Sequence, residues 1–179
     1  YDYILYIRIL LFIYCAIIVI MKFVIQVVKN AEVAIIGESG EVLRKSSIGK
    51  GFAVLVGIRK GDTVQDADRM VQKLIGLRIF ADENGKTNLA LKDVDGGLLL
   101  VSQFTLYADM SRGNRPSFLD AAAPDEAIPL YECIVKKCKE QVKSVGTGEF
   151  GARMELGLIN DGPFTVVLNS DDIKPKGNK

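Results

Sequence analysis

From Met21 onward, apolar and polar positions fall into short runs that read as strands, interrupted twice by a helical stripe. Phe23–Val28 and Glu32–Ile36 are β-rich segments separated by Lys29-Asn30, and Gly37–Gly40 supplies a turn. Phe52–Ile58 is an almost continuous apolar run, the pattern of a strand buried on both faces. Thr63–Arg78 then places Val64, Ala67, Met70, Val71, Leu74 and Ile75 on one helical stripe. Asp62 or Thr63 is its cap, and Gln65, Asp66 and Asp68 put polar groups in its first turns. A second helix follows Pro124, with Ala127, Leu130, Tyr131, Ile134, Val135, Cys138 and Val142 on its buried face. Thr87–Leu91 and Gly97–Leu106 read as strands between the helices. Arg153–Ile159 and Phe164–Asn169 follow the second helix, split by Asn160-Asp161-Gly162-Pro163.

The order is therefore β-β-β-α-β-β-α-β-β, with the last strands returning to a sheet already begun. This pattern predicts an α+β fold, a layered sandwich of β-sheets with two helices on one face. No repeat or long linker divides residues 21–170, so they read as one domain, and 171–179 as a frayed polar tail. Residues 1–20 differ in composition from all that follows. The apolar run Ile9–Met21 is shorter than the ~20 residues a membrane span needs, and extending it takes in Arg8. It lacks the basic start and small-residue cleavage site of a signal peptide. We read it as a non-native or read-through extension, with a membrane anchor as the alternative.

Composition changes this picture mainly by exclusion. Of 179 residues, 49% are hydrophobic and 25% charged, which is globular and not disordered composition. The net charge of +1 gives no global nucleic-acid signature, so any RNA contact must be local. Histidine is absent, which removes Ser-His-Asp and Cys-His catalysis, His-ligated zinc and any imidazole base. A hydrolase built from this chain must activate water with a carboxylate, a hydroxyl, backbone dipoles or a group on the substrate. Cys15, Cys133 and Cys138 are an odd count without a CxxC pair, which reads as buried thiols and not as disulfides or a zinc ribbon. Lys136, Lys139 and Lys143 share the outer face of the second helix, either as a solvated face or as an RNA-backbone contact.

Two segments carry polar groups where a structural strand would not want them. Ser102-Gln103-Phe104-Thr105-Leu106-Tyr107 ends a buried run and leads into a loop containing Arg112, Arg115 and Pro116. With a period of two, Ser102 and Phe104 face one way and Gln103 and Thr105 the other. Such a strand end is either a catalytic lip or an edge strand with solvated polar residues. Asn160-Asp161-Gly162-Pro163-Phe164-Thr165 reads either as a turn or as a Gly-Pro whose backbone is held in an unusual state.

VLVGIRKGD (Val54–Asp62), LRIFADENGKTN (Leu77–Asn88), LLLVSQFTLYAD (Leu98–Asp109), RGNRPSF (Arg112–Phe118) and LINDGPFTVVLNS (Leu158–Ser170) resemble the D-aminoacyl-tRNA deacylase family in order and spacing. The resemblance runs from Met21 to Ser170, and SQFTL together with NxGPxT is highly specific. It implies a cytoplasmic homodimer that hydrolyses the ester of D-aminoacyl-tRNA at the acceptor end, and of glycine misattached to some tRNAs. It also implies that Ser102, Gln103, Phe104 and Thr105 of one subunit form the catalytic segment. Gly162 and Pro163 of the other subunit then bind substrate across the interface through a cis bond whose carbonyls face the α-amino group. Met154 matches a pocket position, and Asn160 is counted with the substrate-binding residues. In the mechanism so implied, the 2′-hydroxyl of the terminal adenosine helps activate water and N–H groups near Phe104 and Thr105 stabilise the oxyanion. The alternative, Thr105 as nucleophile, lacks an accompanying base. No cofactor, metal or membrane is called for.

Two departures from the family pattern stand out. Gln26-Val27-Val28 replaces a usual Gln-Arg-Val whose arginine supports the Gly-Pro motif, and Phe164 replaces a smaller β-branched residue and could narrow the pocket. These leave a rival reading, a catalytically weakened tRNA-binding relative of the same fold. A membrane-tethered protein is a second rival, if residues 1–20 are native.

Overall fold

The computed structural model describes residues 21–173. The extension 1–20 and the end of the polar tail, 174–179, lie outside the described residues. The strands are β1 (Lys22–Ile36), β2 (Val42–Ile48), β3 (Gly51–Gly57), β4 (Arg78–Ala81), β5 (Thr87–Ala90), β6 (Gly97–Ser102), β7 (Val145–Thr147) and β8 (Met154–Asn169). Helix α1 (Val64–Ile75) follows β3 and helix α2 (Pro124–Lys139) precedes β7. Short 3-10 turns close β5, β6 and β8, the last of them, Ser170–Asp172, running into the segment 171–179 that reads as a frayed tail.

One mixed six-stranded sheet dominates, in the order β2-β1-β3-β6-β7, with β8 along β1. β1 pairs antiparallel with β3 through its first half, with β2 through its second, and with β8 along nearly its whole length. β3, β6 and β7 are parallel neighbours. The sheet curls until β2 reaches β7, where the Thr147 N–H donates to Ser46 Oγ at 3.1 Å. Gly51 makes the closest approach: a Cβ there would lie 2.0 Å from the Gly97 carbonyl oxygen of the neighbouring strand.

Alternation along the strands sorts their side chains between two cores. Phe23, Ile25 and Val27, Phe52, Val54 and Val56, and Leu98 and Leu100 face the helices. Val28, Ala31 and Val33, Ala53, and Leu99 and Val101 fill the concave side of the curl with Ile48. Both helices pack on the first face through Ala67, Met70, Val71 and Leu74 of α1 and Ala127, Leu130, Tyr131, Ile134 and Cys138 of α2. Phe52 is fully buried and stacks on Phe80 at 4.8 Å between ring centres. Burying such a ring stabilises by roughly 2–3 kcal/mol. Thr63 caps α1 in a reciprocal box with Asp66. The buried Tyr131 hydroxyl donates to the Leu100 carbonyl at 2.9 Å, tying α2 to β6.

The α+β class and the two helices on one face stand as read from the sequence. The layered sandwich and the strand order do not match. A single curled sheet, with a separate β4–β5 hairpin, replaces stacked sheets. Phe23–Val28 and Glu32–Ile36 are one strand, because a bulge at Lys29 carries the pairing from Val28↔Asn160 to Asn30↔Ile159. Arg153–Ile159 and Phe164–Asn169 likewise join as β8, while β2, β4 and β7 were not anticipated. The strand read as Gly97–Leu106 stops at Ser102.

Candidate active site

β6 delivers the SQFTL segment to the rim of the sheet. The Gln103 N–H donates to the Val56 carbonyl at 2.8 Å, the last rung joining this chain to β3. The backbone then coils into a 3-10 turn, Phe104–Tyr107. Tyr107 explains the coil: its ring is buried and its hydroxyl donates to the Gly57 carbonyl at 3.2 Å, drawing the turn back over β3. Lys22 sits 5.4 Å from the centre of that ring and donates to the Leu106 carbonyl. The turn overrides the period of two. Gln103 and Thr105 still meet, the amide Nε2 donating to Thr105 Oγ1. Phe104 is 55% exposed, its ring edge-on to Phe118 at 5.1 Å.

A cleft of about 280 Å³ opens beside this turn. Ser102, Gln103 and Phe104 form one wall, and Phe150, Met154 and Leu156 the other. Met154, at the start of β8, is held by the Glu149 N–H, which donates to its sulfur at 3.4 Å. Gly148 leaves it room, since a Cβ there would meet the sulfur at 2.5 Å. Thr105 lies beyond the lining. Phe150 and Leu156 were missed from sequence; the available signal was Phe150 between Gly148 and Gly151, the latter at φ +76°.

Gly162 and Pro163 sit elsewhere on the surface, exposed and outside the cleft's lining. Residues 161–164 of β8 loop out opposite Val27, between the pairs Val28↔Asn160 and Gln26↔Thr165. The Gly162–Pro163 bond is cis, and Gly162 has φ +136°, a backbone that favours glycine. Asn160 spans the loop: its Oδ1 accepts the Phe164 N–H at 2.7 Å and its Nδ2 donates to Thr165 Oγ1 at 3.4 Å. Gln26 donates to the same Thr165 oxygen. Lys29 and Asp161 pair at 3.9 Å, exposed and therefore weak. Val27 is buried in the helix-side core and Phe164 packs against that core, and within one chain Phe164 is not part of the cleft's lining.

None of the described residues lining the cleft is titratable, and the strongly shifted groups lie away from it. Burial pushes the Asp62 carboxyl up to about 7, aided by the Asp66 and Asp171 charges and opposed by the Arg59 N–H it accepts at 2.7 Å. Burial also raises the Cys138 thiol to about 12, which makes it an inert core group. Among the described residues no cluster of three or more His, Cys, Asp or Glu side chains is placed to hold a metal ion. No described helix is long and apolar enough to cross a membrane. A wider groove of about 530 Å³ runs over α2 beside Tyr131 and Thr147, but it contains neither motif.

The family model described as D-Tyr-tRNA(Tyr) deacylase matches residues 24–169, a span that includes both the cleft and the Gly162–Pro163 loop. The chain belongs to the D-Tyr-tRNA(Tyr) deacylase family. A D-aminoacyl-tRNA deacylase of Clostridium novyi is 48% identical over 84% of this chain and 97% of its own length. One from Dehalococcoides mccartyi is 50% identical over 85% of this chain and 96% of its own. The solved structure of the c-Myc DNA Unwinding Element Binding Protein is 36% identical, with a TM-score of 0.73 over 82% of this chain and 97% of that one. A probable eukaryotic D-amino acid tRNA deacylase shares the fold, with a TM-score of 0.71 at 16% identity over 84% of this chain and 99% of that one.

Within this deacylase-family chain, Ser102, Gln103, Phe104 and Met154 come together in one cleft. Gly162, Pro163 and Asn160 form a second element on β8, and one chain does not bring the two elements together.

Proposed function

We propose that this protein hydrolyses the ester linking a D-amino acid to the acceptor end of tRNA, releasing free tRNA and the amino acid as a chiral proofreading step. One observation carries the reading: the match to the deacylase family runs unbroken across both the Ser102–Thr105 cleft and the Gly162–Pro163 loop. Misattached glycine, which has no side chain to reject, is a second substrate of the same site.

The active unit is a homodimer. Among the described residues β8 pairs on one edge only, with β1, and carries Leu156, Ile159 and Val167 at 38%, 53% and 54% exposure. A long apolar edge strand invites a partner. Leu156 lines the cleft and Gly162–Pro163 lies on the same strand, so a second copy laid along β8 can bring its loop to this cleft. The carbonyls of that loop then hold the substrate's α-amino group, and an L side chain is rejected by clash.

Phe104 and Thr105 open the 3-10 turn, and the leading N–H groups of such a turn have no acceptor inside it. They are placed to stabilise the oxyanion of the tetrahedral intermediate. Thr105 Oγ1 receives the Gln103 amide, a donor and not a base, which argues against Thr105 as nucleophile. Water is the nucleophile instead, and the 2′-hydroxyl of the terminal adenosine helps to activate it. Substrate and partner together fit a cytoplasmic protein of translation.

A second reading, a weakened tRNA-binding relative, rests on Val27, which is apolar and buried where the family's arginine supports the loop. Hydrolysis of D-Tyr-tRNA compared with L-Tyr-tRNA tests both: hydrolysis of the D-ester alone supports the enzyme, and binding without hydrolysis supports the relative.

A further inference from the structure

Between the catalytic turn and α2, the chain leaves the body of the protein as a hairpin. Asp109 and Ser117 exchange two backbone hydrogen bonds of 2.8 Å each, closing a loop of exposed residues from Met110 to Pro116. The Asp109 carboxylate also accepts the Ser111 N–H at 2.9 Å, and Gly113 turns the tip at φ +101°. The base is moored at two points. Phe118 lies edge-on to Phe104 of the catalytic turn, and Asp120 pairs with Arg59 at 2.9 Å. The projection therefore has a fixed relation to the cleft.

Its tip carries Arg112 and Arg115, both exposed and, among the described residues, without an ion pair or side-chain hydrogen bond. Elsewhere among the described residues some basic groups are answered by carboxylates, and others, such as Lys60, Lys73 and Arg153, are not but lie off this hairpin. Lys137 pairs with Asp68, Lys143 with Asp95, Lys45 with Glu32 and Arg44 with Glu149. The chain's formal charge is only +1, so attraction for a polyanion must be local.

We propose that Arg112 and Arg115 form a phosphate clamp that holds the backbone of the acceptor strand while its terminal ester occupies the neighbouring cleft. The clamp rests on the deacylase reading above, and it assigns binding of the RNA to a part of the molecule that does no chemistry. A guanidinium fork suits phosphate oxygens, and phosphate contacts position a nucleic acid without reading its bases.

The test compares the intact protein with an Arg112→Ala/Arg115→Ala double variant of unchanged melting temperature. For D-Tyr-tRNA, KM rises about tenfold while kcat is kept, and the Arg112→Lys/Arg115→Lys pair, which restores the charge but not the guanidinium fork, recovers only part of the loss. The slope of log affinity for uncharged tRNA against log salt falls by about 1.4, the value for two lost phosphate contacts on single strands. With D-tyrosyl-adenosine, an ester without phosphates, the penalty disappears. An equal penalty on that short ester, or unchanged tRNA affinity and salt slope, overturns the clamp. If the intact protein cleaves no D-ester yet binds tRNA through these arginines, the reaction assigned above fails and the clamp stands.

Discussion

Asn160 Oδ1 accepts the Phe164 N–H at 2.7 Å, and this one bond closes the loop that presents Gly162 and Pro163. Asn160 thus acts on the loop directly, and its amide also reaches Thr165. Asn160→Ala removes both contacts and costs about 1–2 kcal/mol of stability. The larger effect falls on discrimination: the ratio of D- to L-ester hydrolysis drops by about tenfold as the loop loses its set position. Asn160→Asp, which keeps the acceptor, retains most of that ratio. Kinetics on both esters together with thermal melting check this.

Asp62 sets a pH dependence of stability. Its carboxyl rises from the ordinary 3.8 to about 7 on folding, because burial disfavours the charge. Between those values the folded chain binds the proton more tightly than the unfolded chain does. Stability from this group is present below about pH 4, is lost as pH rises towards 7, and is flat above that. Asp62→Asn still accepts the Arg59 N–H and removes the charge. Its melting temperature exceeds that of the unaltered protein at pH 8, and the gap narrows as pH falls to 5.

Thr105→Ala lowers hydrolysis only a few-fold, since it removes the partner of the Gln103 amide and leaves the backbone N–H groups in place. Replacing the terminal adenosine by its 2′-deoxy form lowers it by about 10²-fold or more, the usual range for a lost proton-transfer group. A nearly inactive Thr105→Ala protein, with an acyl-enzyme trapped on Thr105 of the unaltered protein, contradicts the substrate-assisted route.

The mixed-subunit experiment probes the shared site. Gly162→Ala strains a backbone at φ +136°, and Phe104→Ala removes a wall of the cleft. Each homodimer is impaired at both sites. In an equal mixture half the dimers carry one intact site, so activity recovers to about a quarter of the unaltered level. Activity that stays at the level of the two parents places both elements in one subunit.

What the sequence conveyed follows from how local the cause is. β3 and β6 were legible because burial on both faces leaves an unbroken apolar run. Both helices were legible because their stripes have no competing period. β1 and β8 each looked like two strands, since Lys29-Asn30 and Asn160-Asp161-Gly162-Pro163 have turn composition. Their irregularities lie opposite one another, and only the pairing across β1 and β8 shows that both chains continue. β2 is largely polar and exposed, and β7 has three residues in parallel pairing, so neither has a pattern of its own. Ser102–Phe104 and Met154 were readable through motifs, whereas Phe150 and Leu156 join the cleft only through the curl of the sheet.

Single-turnover deacylation of D-Tyr-tRNA and L-Tyr-tRNA, at equal concentration with protein in excess, tests the central claim most directly. The account predicts hydrolysis of the D-ester at least about a hundredfold faster than the L-ester, whose decay stays at the rate without protein. Equal rates for the two esters, or no acceleration of either, contradict it.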